Sequence, residues 1–435
     1  MRTVANMNEI SHPQQPGALA AVRRRSFRRP TKLAVPAAVA LAIALGGMAP
    51  ASAATASTAN AVSAASAARP ASAATSFSPE SVSFISSEVG WALGAAKCSS
   101  GTCLAMFKTS DGGSTWVSQA LPHAMVTAAD KASSSNFMAG AGLSVRFADA
   151  QDGWVYGFVR TNGSLGLTVT PALWSTHDGG ATWRSVALAG ITSADSSILD
   201  LEAGDGHAYV VAQVGDSVKL ESTAVAHDAW TVVTGLHLGL PAGGSNMSGA
   251  IVLQADVGWL VAGNDRGTTG SARLVGGKWQ DWTPPCADVG GTLAYPAAAS
   301  PSYLAAVCVM GGFASPLSKS APKGATVESS WLYVSTNGGT SFNAVSQLGK
   351  LGTEVGGVIA SPAPGVIFLS RSTPTANELE ASFDGGHNWS VVYSGSFNYL
   401  GFTTASQGVA IVGSGSRTAM IMTHDGGHAW QKVTF

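Results

Sequence analysis

Charge is scarce in this sequence: 11% of its 435 residues are Asp, Glu, Lys or Arg, against about 25% in an average protein. A long helical or coiled-coil chain needs those residues at helical period, so that class is excluded. The formal net charge is −1, which excludes disorder driven by charge and argues against a basic nucleic-acid binder. No apolar run of about 20 residues follows residue 50, so a polytopic membrane protein is excluded as well. Cysteine is also rare, with four residues. What the chain has in excess is glycine, 52 residues, in a setting of short β-branched and aromatic runs. That combination reads as strands and turns.

The first 53 residues read as an export signal. A basic stretch containing Arg23-Arg24-Arg25 and Arg28-Arg29 precedes an apolar run from Leu33 to Gly47, and Ala51-Ser52-Ala53 has the form of a cleavage site. The run is shorter than the ~20 residues that span a bilayer. The alternative is an uncleaved N-terminal membrane anchor. Arg24-Arg25-Ser26-Phe27 partly matches a twin-arginine signal, so that route and general secretion both stay open. Residues 54–76 are almost all Ala, Ser and Thr, a composition that cannot bury a core and reads as a linker. Seven of the 24 basic residues and one of the 25 acids lie in 1–53, leaving 17 against 24, a net of −7. The expected mature domain, 77–435, is therefore acidic and outside the cytoplasm. An even cysteine count there suggests disulfides, with Cys98–Cys103 and Cys286–Cys308 the favoured pairing of three. Neither pair has zinc-ligand spacing.

The organising feature is a repeat. Thr109-Ser-Asp111-Gly-Gly-Ser-Thr-Trp116 returns as Thr176-His-Asp178-Gly-Gly-Ala-Thr-Trp183, Ser335-Thr-Asn337-Gly-Gly-Thr-Ser-Phe342, Ser382-Phe-Asp384-Gly-Gly-His-Asn-Trp389 and Thr423-His-Asp425-Gly-Gly-His-Ala-Trp430. The same spacing joins Thr223 to Trp230 and Ala272 to Trp279, without the full Asp-Gly-Gly centre. A second element, a strand followed by Gly and an aromatic or apolar residue, precedes each copy, as in Gly90-Trp91, Gly153-Trp154 and Gly258-Trp259. Repeat starts fall near 82, 144, 198, 250, 292, 356 and 399. The spacing predicts an all-β fold: a single seven-bladed β-propeller of four-stranded antiparallel blades. In the first blade the strands are expected at Val82–Ile85, Gly90–Ala95, Cys103–Thr109 and Thr115–Ala120. Asp-Gly-Gly would form the turn from third to fourth strand, because Asp accepts backbone N–H bonds and Gly supplies positive φ.

This motif resembles the Asp box of bacterial neuraminidase repeat proteins. Its coupling to an upstream Gly-Trp strand is most similar to photosystem II stability/assembly factor-like propellers and, more loosely, to sortilin-type propellers. The resemblance covers about 77–435. It implies that Asp111, Asp178, Asp384 and Asp425 are turn residues, and that ligands bind at the opposite face, on the loops between blades and between second and third strands. Loops 121–143 and 310–329 are the long ones there. The face would carry Arg160, Arg266, Arg371 and Arg417, suited to an acidic partner. Such families include hydrolases, lyases, receptors and assembly factors, so fold alone does not select a function.

A sialidase would need a Phe-Arg-Ile-Pro segment and a Tyr nucleophile paired with an acid; Val145-Arg146-Phe147 is not equivalent, and Tyr295, Tyr303 and Tyr399 have no evident partner. Asp130, Asp265 and Glu354 are the candidate acids for a two-carboxylate glycosidase, which needs them about 5–9.5 Å apart. His424 and His428 have a metal-like spacing on a turn where helical geometry does not apply. No metal or cofactor is expected. The favoured expectation is a secreted, non-enzymatic scaffold for a protein or carbohydrate ligand, with no nucleic acid and no transmembrane segment in the mature chain; a glycan-active hydrolase or lyase is the alternative.

Overall fold

The computed structural model describes residues 77–98, 101–126, 142–163, 166–191, 196–215, 217–239, 248–264, 267–288, 291–310, 321–326, 329–349, 354–415 and 417–435. The expected signal and linker, and Asp130, Asp265 and Arg266, lie outside them.

Seven sheets of four antiparallel strands form, each from consecutive strands. The innermost strands are β1 (Phe77–Phe84), β5 (Leu143–Phe147), β9 (Ser196–Gly204), β13 (Ser248–Gln254), β17 (Gly291–Ala298), β21 (Glu354–Ala363) and β25 (Phe397–Phe402). Each touches the next, and β25 touches β1, so the blades form a ring. β1 begins earlier than the sequence pattern suggests. A bulge at Glu80 interrupts its alternation, since Pro79 pairs with Gly94 and Ser81 with Leu93. Residues 77–84 are the inner strand of blade 1 rather than a closing strand added to blade 7. The seam between those blades is held by side chains: Phe435 packs on Phe77 at 4.5 Å and Trp116 at 4.9 Å, and Gln407 donates to the Ser87 carbonyl.

Why these runs fold as blades follows from two-sided burial. Second strands such as Trp91-Ala-Leu93 and Trp154-Val-Tyr156 are buried on both faces, because each blade is packed between two neighbours. Every hydrophobic cluster draws on two adjacent blades. Trp91 of blade 1 stacks flat on Phe147 of blade 2, with centroids 3.6 Å apart. Truncating a buried aromatic of this kind costs about 3–5 kcal/mol.

The free edges of the inner strands face the axis, and their N–H groups need acceptors. Neighbouring side chains supply them. Ser81 and Ser83 accept from the Val145 and Phe147 N–H groups, and Asp200 accepts from Ile251 N–H. Cys98 and Cys103 form a disulfide across the hairpin between second and third strands of blade 1. Cys308 is also disulfide-bonded; the side chain of its expected partner, Cys286, lies outside the described set.

Candidate functional site

The two ends of the ring differ in chemistry, and the Asp-Gly-Gly turns build one of them. In blade 2 the buried Thr176 hydroxyl donates to Asp178 at 2.8 Å and accepts from Gly180 N–H at 2.9 Å. Asp178 also accepts from the backbone and hydroxyl of Thr182. Trp183 Nε1 donates to the Gly180 carbonyl, closing the turn. Blades 1, 6 and 7 repeat this pattern around Asp111, Asp384 and Asp425, with Trp116, Trp389 and Trp430 closing. In blade 5 Asn337 takes the aspartate's place and Phe342 the tryptophan's. The first glycine ties each turn to the inner hairpin of its own blade, as in Gly179 N–H to Gln151 O at 2.8 Å. The second glycine has positive φ and presses on the preceding blade; a Cβ on Gly386 or Gly427 would collide with Leu332 or Phe368.

These aspartates are spent on the turn. The Thr115 hydroxyl and N–H, together with Thr109, lower the Asp111 carboxyl to about 2. Asp384 and Asp425 are lowered mainly by backbone N–H bonds from Asn388 and Ala429. For Asp178 modest burial opposes, and the Thr182 and Thr176 bonds outweigh it.

Blades 3 and 4 break the pattern. In blade 3 the segment Thr223-Ala-Val-Ala-His-Asp-Ala-Trp230 has no Gly-Gly. Thr223 donates to the His227 carbonyl instead, and Val225 N–H reaches Gly206 O. Asp228 turns to blade 2, meeting Arg184 at 2.5 Å and Ser175 at 2.9 Å. His177 bridges Asp228 at 3.3 Å and Asp152 at 2.6 Å. Blade 4 replaces the box with a tight hairpin, Val275 pairing Lys278. Trp230, which would have closed the blade 3 turn, keeps a buried indole N–H with no acceptor among the described residues, as do Trp91 and Trp154; Trp279 of blade 4 stands edge-on to Tyr209, with ring centroids 5.4 Å apart.

Beside the altered blade 3 turn a cleft of about 560 Å³ opens where the inner hairpins of blades 1–4 meet. Its acidic lining is Asp149, Asp152, Glu202 and Asp205, with His227 from the altered turn. Asp149 and Asp152 come from the hairpin of blade 2; Asp205, with φ of 51°, is in that of blade 3. At the back, Glu202 on β9 pairs with Arg146 on β5 at 2.6 Å, both nearly inaccessible. Tyr156 donates to Asp200 at 3.1 Å, and Asp200 also accepts from Leu201 and Ile251 N–H. Burial opposes the Arg146 charge, but Glu202 and its neighbours hold the guanidinium firmly protonated. Burial, reinforced by the Asp200 charge, pushes the Tyr156 phenol well up. Burial also raises Asp200, with Arg146 and the three donors pulling back. This axial cluster pins three blades together.

Sequence reasoning missed Glu202 and Asp200 and treated Arg146 only as a failed motif match. The available signal was charge at alternating positions of otherwise apolar inner strands, where blades 1 and 4 place Ser83 and Val252.

Of the expected ligand residues, the described ones, Arg160, Glu354, Arg371 and Arg417, lie on strands and connections toward the other end. Arg371, near the end of β22 (Val366–Ser372), pairs with Glu380 at 2.7 Å. Burial raises the Glu380 carboxyl while Arg371 pulls it down. Arg417 is exposed on the connection after β26 (Gly408–Val412). Arg160 lies in β6 (Gly153–Gly163), paired with Val169, and Glu354 opens β21 opposite Ser372; their side chains are outside the described set. Among the described residues no three His, Cys, Asp or Glu side chains converge to hold a metal ion, and no helix is long and apolar enough to cross a membrane.

No family model matches the sequence, and no curated protein matches it significantly. Solved structures do share the fold. A puromycin hydrolase complexed with PGG is 13% identical with a TM-score of 0.51, covering 83% of this chain and 54% of its own. This chain thus spans about half of that enzyme. The β-propeller domain of the Trilobed protease from Pyrococcus furiosus, described as having an open velcro topology, is 9% identical at TM-score 0.47, covering 82% and 98%. An ulvan lyase is 10% identical at TM-score 0.48, covering 79% and 91%. At such identities the likeness speaks for the propeller fold alone.

Proposed function

We propose that this chain is a secreted, non-enzymatic binding propeller whose ligand enters the cleft beside blade 3. One observation carries the reading: a concave site lies where the repeat loses its turn. Intact blades fix that position with Gly-Gly and a closing tryptophan. Blade 3 instead offers short side chains, Ala224, Val225 and Ala226, beside unusual polar groups. Concave, partly apolar sites with a few convergent polar groups are where small ligands bind.

Ala226 is exposed and lines the cleft, so Ala226→Trp fills the space with little change to the core. The purified protein and this variant are compared on glycan and peptide arrays. Capture by the wild type that disappears in the variant is the expected result. Capture indifferent to Ala226→Trp contradicts it, and turnover of a polysaccharide or peptide establishes the hydrolase or lyase reading instead.

The exposed Arg417 favours a second contact at the opposite end, where Arg160, Arg266, Arg371 and Arg417 would together draw an acidic partner. Replacing all four with Ala is expected to weaken retention on polyglutamate; unchanged retention removes that surface.

A further inference from the structure

We propose that His177 is a proton-controlled latch that ties the blade 3 turn to blade 2 and so sets the wall of the cleft. The latch stands on geometry of its own; that it regulates binding rests on the cleft being the ligand site.

Both ring nitrogens of His177 face carboxylate oxygens. Nδ1 lies 2.6 Å from Asp152 Oδ1, in the inner hairpin of its own blade, and Nε2 lies 3.3 Å from Asp228 Oδ2, in the turn of blade 3. A carboxylate only accepts, and a neutral imidazole has one N–H. The doubly protonated ring alone donates to both. In the neutral ring the proton sits on Nδ1, at the shorter contact, and the Nε2 lone pair is left facing Asp228. The proton-dependent bond is therefore the one between blades. The side chains of His177, Asp152 and Asp228 are 25%, 12% and 16% exposed, so the change is felt more than on open surface.

The groups packed around the ring do not replace that bond. Asp178, next on the turn, is taken by Thr176 and Thr182. Lys108 of blade 1 ends beside Gly179, over the Trp91 ring. Asp149 accepts from Asp152 N–H, and Glu202, Asp205 and His227 line the cleft with Asp152. Arg184 at 2.5 Å and Ser175 at 2.9 Å reach the same Asp228 oxygen. They anchor Asp228 to blade 2 whatever the state of the ring, so losing the His177 bond loosens the turn without detaching it. Asp228 directly follows Ala226 and His227, both of the cleft wall. Blade 7 offers an internal contrast. His424 has the same place in its turn, but Gln407 stands where Asp152 does, and Ser114 of the next blade stands, by spacing, where Asp228 does.

A double-mutant cycle at two pH values tests the latch. Wild type, His177→Gln, Asp228→Asn and the double variant are unfolded in urea at about pH 5.5 and 9, either side of the range in which histidine changes charge. A ring charged in the folded protein contributes stability that is present at low pH and lost as pH rises. Coupling between the two positions should be about fivefold or more in the folding equilibrium constant at the lower pH and within about twofold of none at the higher. The cycle isolates this pair from His227 and the other histidines, and a merely structural contact would couple equally at both. If the Asp228 variants do not fold, the deficit of His177→Gln against wild type must itself narrow as pH rises. Coupling that is equal at the two pH values, or larger at the higher, overturns the latch. Capture by the wild type on the glycan and peptide arrays should weaken from the lower pH to the higher, and change less in His177→Gln, because an ordered wall binds more tightly. Capture lost in Ala226→Trp but equal at both pH values overturns the regulation. PH-dependent coupling with capture indifferent to Ala226→Trp overturns the cleft as the site and leaves the latch.

Discussion

Blades 2 and 3 carry the same spacing from hydroxyl to tryptophan, yet one ends in a closed turn and the other beside a cleft. Thr176 and Thr223 are both buried. The first organises an aspartate and a glycine N–H; the second meets one carbonyl. Trp183 finds the Gly180 carbonyl, while Trp230 finds none among the described residues. The comparison separates two jobs that one motif performs. The Gly-Gly-Trp part seals the end of a blade, and the spacing alone preserves only the blade. Where the seal is missing, a polar group is released: Asp228 turns to blade 2.

The largest way to break the comparison is at the axis behind blade 3. Arg146→Met leaves Glu202 buried without its partner and is expected to destabilise by about 3–5 kcal/mol in chemical denaturation. The double variant Arg146→Met/Glu202→Met should recover much of that loss. A loss below 1 kcal/mol in the single variant would show that water reaches Glu202 through the cleft, on the order of an exposed pair.

A smaller effect contrasts the two threonines. Thr176→Ala strands the buried Gly180 N–H and should cost about 1–3 kcal/mol. Thr223→Ala should cost about 0.5–1.5 kcal/mol, one ordinary hydrogen bond. Equal costs would mean that the Asp-Gly-Gly turn adds nothing to its blade. Smaller again, Trp259→Phe loses a bond to Gly338 worth about 1 kcal/mol that Trp154→Phe does not. A difference between the two variants in thermal unfolding reads this directly.

Acid offers a test without mutation. Asp111 is lowered to about 2 by its turn donors, and Asp178, Asp384 and Asp425 are lowered too. A depressed carboxyl contributes stability that is full above its unfolded value, about 4, and is lost as pH falls through its folded value. Hydrogen exchange between pH 4 and 2 should therefore loosen the turns of blades 1, 2, 6 and 7, while the blade 3 turn, which lacks the aspartate, changes least.

Much of this architecture was legible before any coordinates. Gly-Gly before an aromatic marks a turn because only glycine meets both the positive φ and the close approach seen at Gly386 and Gly427. Five such copies at blade spacing, with Gly-Trp upstream, fix the seven-bladed ring. The start of β1 was less visible, since Pro79 and the Glu80 bulge hide its alternation. The axial pair was not visible at all. Arg146 and Glu202 lie 56 positions apart, and their meeting depends on which face of each inner strand turns toward the next blade. The cleft was hidden for a related reason. It is built from hairpins of four blades at the end carrying the Asp-Gly-Gly turns, whereas the resemblance directs attention to the opposite end. The copy at Thr223–Trp230 keeps the spacing without the Asp-Gly-Gly centre; its consequence appears only when blades 2, 3 and 4 are set side by side.

The central claim is that the ligand end is defined by the blade that loses its seal. Capture on glycan and peptide arrays by the wild type, Ala226→Trp and Arg417→Ala tests it most directly. The account predicts that Ala226→Trp loses capture while Arg417→Ala keeps it. Loss confined to Arg417→Ala would contradict it.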